Sequence, residues 1–313
     1  MNAIVLQRFG GVENLVLQPV PVPTVRDEEV LVKVKSAAIN PIDIKTRLGG
    51  GLYGMLKNET PLILGWDISG TIAETGKSVT AFRKDDEVFG MINFPGHGRC
   101  YAEYTAAPAA HLSLKPSNIS HNEAAAASLA ALTAWQVLKA HATIQKGQKV
   151  LIHAAAGGVG HFAVQIAKYF GAWVAGTASA SNRNFVLGLG ADAHIDYTAG
   201  PLDEQVSDLD FVLDTIGGAS IDHSLKVMKK GATIVSIPSG LNEAVMDKAS
   251  AEEMNGYTFK VKSNGNDMKE IANLLEQGVV KSHVSHIFSF GEIAKAHAQI
   301  ETGRTKGKVV VEV

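Results

Sequence analysis

The chain has 313 residues, 46% hydrophobic and 19% charged, a globular composition too long for one small core, so two domains are expected. A net charge of −2 leaves no excess of cations for a phosphate backbone or an anionic bilayer, which argues against nucleic acid and membrane partners. Cys100 is the one cysteine. An intramolecular disulfide and a cysteine-built structural zinc site are therefore excluded, and a reducing, cytoplasmic setting is expected.

Met1 to Gln7 has no basic region followed by an apolar core and reads as a strand rather than a signal peptide. From Glu29 to Ser36, Val30, Val32 and Val34 alternate with Leu31, Lys33 and Lys35, the pattern of a half-buried strand. Glycines and prolines such as Pro19, Pro21, Pro23, Gly65, Gly70, Gly76 and Gly90 separate short β-type runs, predicting an irregular antiparallel β domain. Ala124 to Trp135 is Ala-rich but well short of the ~18 to 20 residues of a bilayer span, and reads as a buried helix. After Pro116 the texture changes. Lys149 to Ala155, Trp173 to Ala178, Phe211 to Asp214 and Gly231 to Pro238 are continuous apolar runs alternating with helical patterns, which predicts a parallel, doubly wound sheet. Beyond Val261, a helix (Met268 to Gln277), a strand (Val284 to Phe290), a helix (Ala294 to Glu301) and a strand (Lys308 to Val313) either extend that sheet or return to the first domain.

The sharpest motif is Val150-Leu-Ile-His-Ala-Ala-Ala-Gly-Gly-Val-Gly160: an apolar strand, a glycine-rich turn, then a helix whose Val159, Phe162, Ala163, Ile166, Ala167 and Phe170 share one face. Such a turn lets backbone N–H groups at a helix start approach a pyrophosphate, and assigns Ala156, Gly157, Gly158, Val159 and Gly160 to a dinucleotide cofactor. Ala155 stands where the common fingerprint has its first glycine. A P-loop is a poor alternative, because no Gly-Lys-Ser/Thr follows. At the end of the next strand, Thr177-Ala-Ser-Ala-Ser-Asn-Arg183 lacks the acid that reads the ribose hydroxyls of NAD. Ser179 and Arg183 offer groups suited to the 2′-phosphate of NADPH instead. The alternative is an Arg183 that is merely solvated.

With these residues, the chain resembles the medium-chain dehydrogenase/reductase superfamily and, within it, the zinc-free quinone oxidoreductases. The likeness runs through Asn40-Pro-Ile-Asp43, Arg47, Tyr53, Gly65-Trp-Asp-Ile-Ser-Gly70, Phe82 to Val88, Leu132-Thr-Ala-Trp135, Ala154 to Gly160, Leu189-Gly-Ala-Asp192, Ile195-Asp-Tyr197, Val212 to Gly217 and Gly303 to Val310. The resemblance implies an α/β fold: a Rossmann doubly wound parallel sheet domain (123–261), plus a GroES-like irregular β-barrel catalytic domain (1–122, with 262–313 returning to it), and a site in the cleft between them. It also implies NADPH as cofactor and a homodimer. Asn40 and Thr133 would lie near the nicotinamide. Ser179, Arg183 and Tyr197 would surround the 2′-phosphate, and Ser236, Ile237 and Lys308 would complete the cofactor set. The zinc-dependent relatives carry Cys where Asn40 stands and Gly-His-Glu where Gly65-Trp66-Asp67 stands, so no metal is expected.

Without zinc to polarise a carbonyl, the expected substrate is a small quinone or α,β-unsaturated carbonyl compound, already activated by conjugation. Asn40 is the candidate for orienting cofactor or substrate and Tyr53 for closing the pocket or donating a hydrogen bond. Asp43 would hold Arg47 or Lys45 or order a water, or else form an Asx-type turn after Pro41. A metal-independent alcohol dehydrogenase, and an NADPH-binding protein without turnover, are the rival readings.

Overall fold

The computed structural model describes residues 1–142 and 144–313. Chain contacts divide it into two compact units, Met1–Leu132 with Val261–Val313, and Thr133–Lys260.

The first unit contains β1 (Asn2–Leu6), β2 (Leu15–Pro19), β3 (Glu29–Ile39), α1 (Pro41–Arg47), α2 (Tyr53–Leu56), β4 (Asp67–Thr75), β5 (Glu87–Met91), β6 (Tyr104–Pro108), β7 (Leu112–Leu114) and the start of α3 (His121–Val137). β3 is its axis. It pairs antiparallel with both β4 and β6, and Val30, Val32 and Val34 pack with Ile68, Ile72, Val88 and Ile92. The predicted alternation holds for Lys33 and Lys35, which are exposed, but Leu31 on their face is buried.

The second unit holds the parallel sheet: β8 (Lys149–Ile152), α4 (Gly160–Tyr169), β9 (Trp173–Ala178), α5 (Arg183–Gly188), β10 (Ala193–Asp196), β11 (Leu209–Asp214), α6 (Ala219–Leu225), β12 (Met228–Ser236), α7 (Val245–Ala251) and β13 (Asn255–Thr258). The strand order is β10-β9-β8-β11-β12-β13, every pairing parallel. This is the Rossmann order, in which the sequence reverses direction across the sheet between β8 and β11. Leu151, Ala175, Val212 and Ile234 form the sheet's share of the core, covered by Ile221 and Leu225 of α6 and Val245 and Ala249 of α7. β8 ends at Ile152, earlier than the apolar run suggests, because Ala154 adopts φ +45° and turns the chain.

The last segment, α8 (Gly265–Glu276), β14 (Val284–Ser289), α9 (Ile293–Glu301) and β15 (Lys308–Glu312), joins the first unit. β15 pairs antiparallel with β3 through Val309–Ile39 and Val310–Ala38, and carries β14 on its other side. Of the two paths left open by the pattern, return to the first domain is the one taken. Among the described residues no helix is long and apolar enough to cross a membrane.

Candidate functional site

In the first unit Asn40, Asp43 and Lys308 meet at the start of α1. Pro41 occupies the first helical turn, where its missing N–H costs nothing. Asp43, in the third position, accepts the backbone N–H of Asn40 through Oδ2 at 2.6 Å, which ties the helix start to the end of β3. This is what Asp43 does in place of holding Arg47. The Arg47 guanidinium instead donates to Glu301 at 2.5 Å and to the Gly10 carbonyl at 2.6 Å.

Asn40 is 1% exposed, and both ends of its amide are engaged. Nδ2 donates to Asp67 Oδ2 at 2.7 Å, and Oδ1 accepts from Lys308 Nζ. Lys308 also donates to the Ile39 carbonyl at 3.0 Å and lies 3.9 Å from Asp67, while Asp67 Oδ1 accepts the Leu129 N–H at 2.9 Å. The ammonium on one side and the carboxylate on the other leave only one orientation of the Asn40 amide. Burial, then the Asp67 charge, pushes the Asp43 carboxyl up to about 7, against the opposing pull of the Asn40 N–H, Lys308 and the Tyr101 hydroxyl. Burial raises Asp67 to about 6 while Lys308, Asn40 and the Leu129 N–H oppose it. Burial lowers Lys308, and the two carboxylates resist. The cluster is thus two acids sharing one buried cation.

These residues do not fit zinc. Trp66 donates its indole N–H to the Gly96 carbonyl at 2.8 Å and has no lone pair to offer a metal. The Cys100 thiol is fully buried, directed at the Gly98 carbonyl, and pushed up by that burial. Among the described residues no group of three or more His, Cys, Asp or Glu side chains is placed to hold a metal. Tyr53 sits at the start of α2, 37% exposed, its ring edge-on to Phe9 at 4.5 Å.

In the second unit the turn after β8 has the form its sequence announces. A Cβ on Gly160 would lie 2.1 Å from the Ala154 carbonyl oxygen, so no other residue lets α4 start so close to the strand end. A Cβ on Gly176 of β9 would lie 2.6 Å from that of Ala155, so the neighbouring strand is also relieved to admit the turn. Gly157, Gly158 and Val159 stay half-buried while Phe162, Ala163, Ile166 and Ala167 are fully covered. Backbone N–H groups at a helix start with no side chain over them fit a pyrophosphate. Ala156 is 7% exposed, and Thr133, on α3, 5%. At the end of β9 the Ser179 hydroxyl bonds the Ser181 hydroxyl at 3.0 Å and the Asn182 amide at 3.1 Å. Arg183, at the head of α5, is exposed with no carboxylate partner among the described residues, and Tyr197 is 65% exposed. Ser236 ends β12, and the Ile237 N–H reaches the Asp214 carbonyl at 3.0 Å.

Several members of these clusters escape selection by sequence: Asp67, whose hydrogen bonds reach both Asn40 and Leu129, and His153, Thr177 and Asp214 at the strand ends. The available signals were a polar residue closing an apolar run, as at His153 and Asp214, and an acid where relatives carry a Glu.

A family model described as "Alcohol dehydrogenase GroES-like domain" matches residues 26–117, and one described as "Zinc-binding dehydrogenase" matches residues 189–311. The chain is 35% identical to a 2-methylene-furan-3-one reductase of Solanum lycopersicum, with 97% of this chain and 76% of the relative covered. It is 34% identical to an NADPH-dependent alkenal/one oxidoreductase, chloroplastic, of Arabidopsis thaliana, over 99% of this chain and 79% of the relative. Among solved structures, the quinone oxidoreductase from Coxiella burnetii superposes with a TM-score of 0.95 at 36% identity, covering 100% of this chain and 99% of the other.

Proposed function

The chain belongs to the medium-chain dehydrogenase/reductase superfamily, and on that premise we propose that it is an NADPH-dependent reductase of quinones or α,β-unsaturated carbonyl compounds that works without a metal. The observation that carries the reading is the cluster at Asn40, where an amide, an acid and a buried lysine satisfy one another, with Asn40 standing where zinc-dependent relatives carry a cysteine. A site of this kind offers no Lewis acid for an isolated carbonyl. It suits acceptors whose conjugation already makes them electrophilic and spreads the charge of the product anion. The reductases of methylene-furanone, alkenal and quinone substrates among its relatives support the same class.

Bound NADPH supplies the hydride. The turn at Ala156, Gly157, Gly158, Val159 and Gly160 binds the pyrophosphate through backbone N–H groups. Ser179, Arg183 and Tyr197 bind the 2′-phosphate, for which the exposed guanidinium of Arg183 is the strongest group. Thr133, Ser236, Ile237 and Lys308 hold the rest of the cofactor. Asn40 orients the reacting pair, Asp43 holds Asn40 at the helix start, and Tyr53 excludes water or donates to the developing oxyanion. The lone buried Cys100 suits a reducing, cytoplasmic compartment. The open edge at β13 suits pairing with a second copy in a homodimer, a point that sedimentation as a monomer would remove.

The deciding experiment follows NADPH absorbance with a panel of quinones, alkenals, saturated ketones and alcohols. Turnover is expected with the conjugated acceptors alone. Oxidation of simple alcohols with NADP⁺ at the rate of quinone reduction would overturn the reading in favour of an alcohol dehydrogenase, and binding of NADPH without turnover on any acceptor would leave a binding protein.

A further inference from the structure

His153, Thr177, Asp214 and Ser236 stand side by side at the carboxyl ends of adjacent parallel strands. Ile152 is in register with Leu213 and with Gly176, and Asp214 with Ser236, so one polar row crosses the sheet just beyond β8, β9, β11 and β12. In an open parallel sheet this is the edge that meets the ligand.

The hydrogen-bond directions in the row are fixed by donor inventory. The Ser236 and Ser220 hydroxyls donate to the two oxygens of Asp214 at 2.6 and 2.5 Å. The Ser224 hydroxyl spends its one proton on the Ser220 carbonyl at 2.6 Å. His153 Nε2, 2.8 Å from that hydroxyl oxygen, must therefore be the donor. A neutral imidazole has one N–H, which leaves Nδ1 to accept from the Thr177 hydroxyl at 3.3 Å. The Thr177 oxygen in turn accepts the backbone N–H of Ala154 at 3.1 Å. Burial lowers the His153 pKa, outweighing the Asp214 charge that raises it and adding to the effect of His223, so the neutral tautomer is the one that fits. Ala154 is the residue at φ +45°, a conformation that costs a non-glycine residue and persists only where neighbours hold it. Its carbonyl receives the Gly157 N–H at 2.8 Å. At the other end, Asn242 donates to the Ser236 carbonyl at 2.7 Å.

We propose that this path is a brace running from the loop after β12 through Asp214, Ser220, Ser224, His153 and Thr177 to Ala154. It makes Thr177, His153 and Ser224 positioning residues that set the phosphate-binding turn and the strand-end loop at 236–240 as one unit. The inference rests on the reading of this unit as the NADPH domain. None of the three touches the cofactor in this scheme. Thr177 holds the strained residue that closes the turn, His153 relays the constraint in a single tautomer, and Ser224 passes it to the Asp214 network. Its consequence is that the brace governs the pyrophosphate and nicotinamide portion of the pocket and leaves the 2′-phosphate contacts of Ser179 and Arg183 largely unaffected.

The test measures dissociation constants of NADPH and of 2′,5′-ADP, which lacks the pyrophosphate and nicotinamide, by calorimetry on the full chain, with thermal midpoints taken alongside. Thr177→Val is expected to weaken NADPH about tenfold, the effect of losing the hydroxyl's two buried hydrogen bonds, to His153 and from the Ala154 N–H, and of the turn relaxing, while 2′,5′-ADP changes by less than about threefold. Thr177→Ser should restore NADPH affinity. Ser224→Ala cuts the path at another link, so it repeats the NADPH effect if Thr177→Val does not fold. Unchanged NADPH affinity in a folded Thr177→Val or Ser224→Ala variant, or equal weakening of both ligands, overturns the brace. Failure of the wild type to bind NADPH or NADH at all overturns the cofactor reading beneath it instead.

Discussion

At the start of α1 the buried polar atoms are held by charge, with Asp43 and Asp67 set against the single cation of Lys308, whereas beyond β8 and β9 they are held by neutral hydroxyls, an imidazole and backbone groups. Both regions are sealed from solvent: Asp43 and Asp67 are 0% exposed, His153 5% and Thr177 2%. The difference lies in what breaks them. A charge cluster fails when its balance is altered, because desolvated charge has no water to fall back on. A neutral network fails one hydrogen bond at a time, at far smaller cost.

The largest test of that contrast is Lys308→Met. Removing the cation leaves two buried acids facing each other and takes a donor from Asn40 Oδ1. A loss of about 3–5 kcal/mol of stability is expected, the range for breaking a buried ion pair, read from urea unfolding. Since both acids would take up protons in compensation, the loss should shrink on acidification. A loss below about 1 kcal/mol near neutral pH would mean that the cluster is not held by charge.

A second test is the pH dependence itself. In the folded chain Asp43 is raised from 3.8 to about 7 and Asp67 from 3.8 to about 6, so between the unfolded and folded values the native state holds more protons than the unfolded one. Stability contributed by these acids is then present below the unfolded value and falls as pH rises through the folded value, by on the order of a few kcal/mol. Asp43→Asn should flatten that decline over the window from 3.8 to about 7. An equally steep decline in the variant would place the titration elsewhere.

The smallest test concerns the exposed rim of the second unit, where Arg183 stands open to solvent. Arg183→Ala should raise the KM for NADPH by roughly 1.5–3 kcal/mol in equivalent free energy, one charge-assisted bond, and leave NADH almost unchanged. Equal KM shifts for both cofactors would remove Arg183 from phosphate recognition. Thermal stability should be unmoved, in contrast to Lys308→Met.

The second unit was the more legible of the two in the sequence. Its central strands β8, β9 and β11 are buried on both faces and so read as continuous apolar runs, and its turn announces itself because Gly160 occupies a place where a side chain collides. Even there, Lys149 to Ala155 looked like one strand, since three alanines give no sign that Ala154 turns through a left-handed conformation. The first unit was legible as a family pattern and as scattered short strands, with few local signals for its pairings. Asn40 and Asp43 were visible as candidate site residues, and Asp67 only as part of a family motif. What escaped was that Asp43 caps Asn40 rather than holding Arg47, and that Arg47 turns to Glu301, a partner 254 positions away.

Local periodicity and turn chemistry are short-range properties, so the sequence by itself determined the change from antiparallel to parallel architecture, the place of the phosphate turn, and the loss of the zinc donors at Asn40 and Trp66. Pairing of distant segments has no local signature. Only tertiary structure decided that β15 returns to lie beside β3, bringing Lys308 across 268 residues to Asn40 so that one buried cation balances two acids. By the same cause it set Thr177, His153 and Asp214 in one row, because strand register, which no single strand encodes, places their side chains within hydrogen-bonding reach.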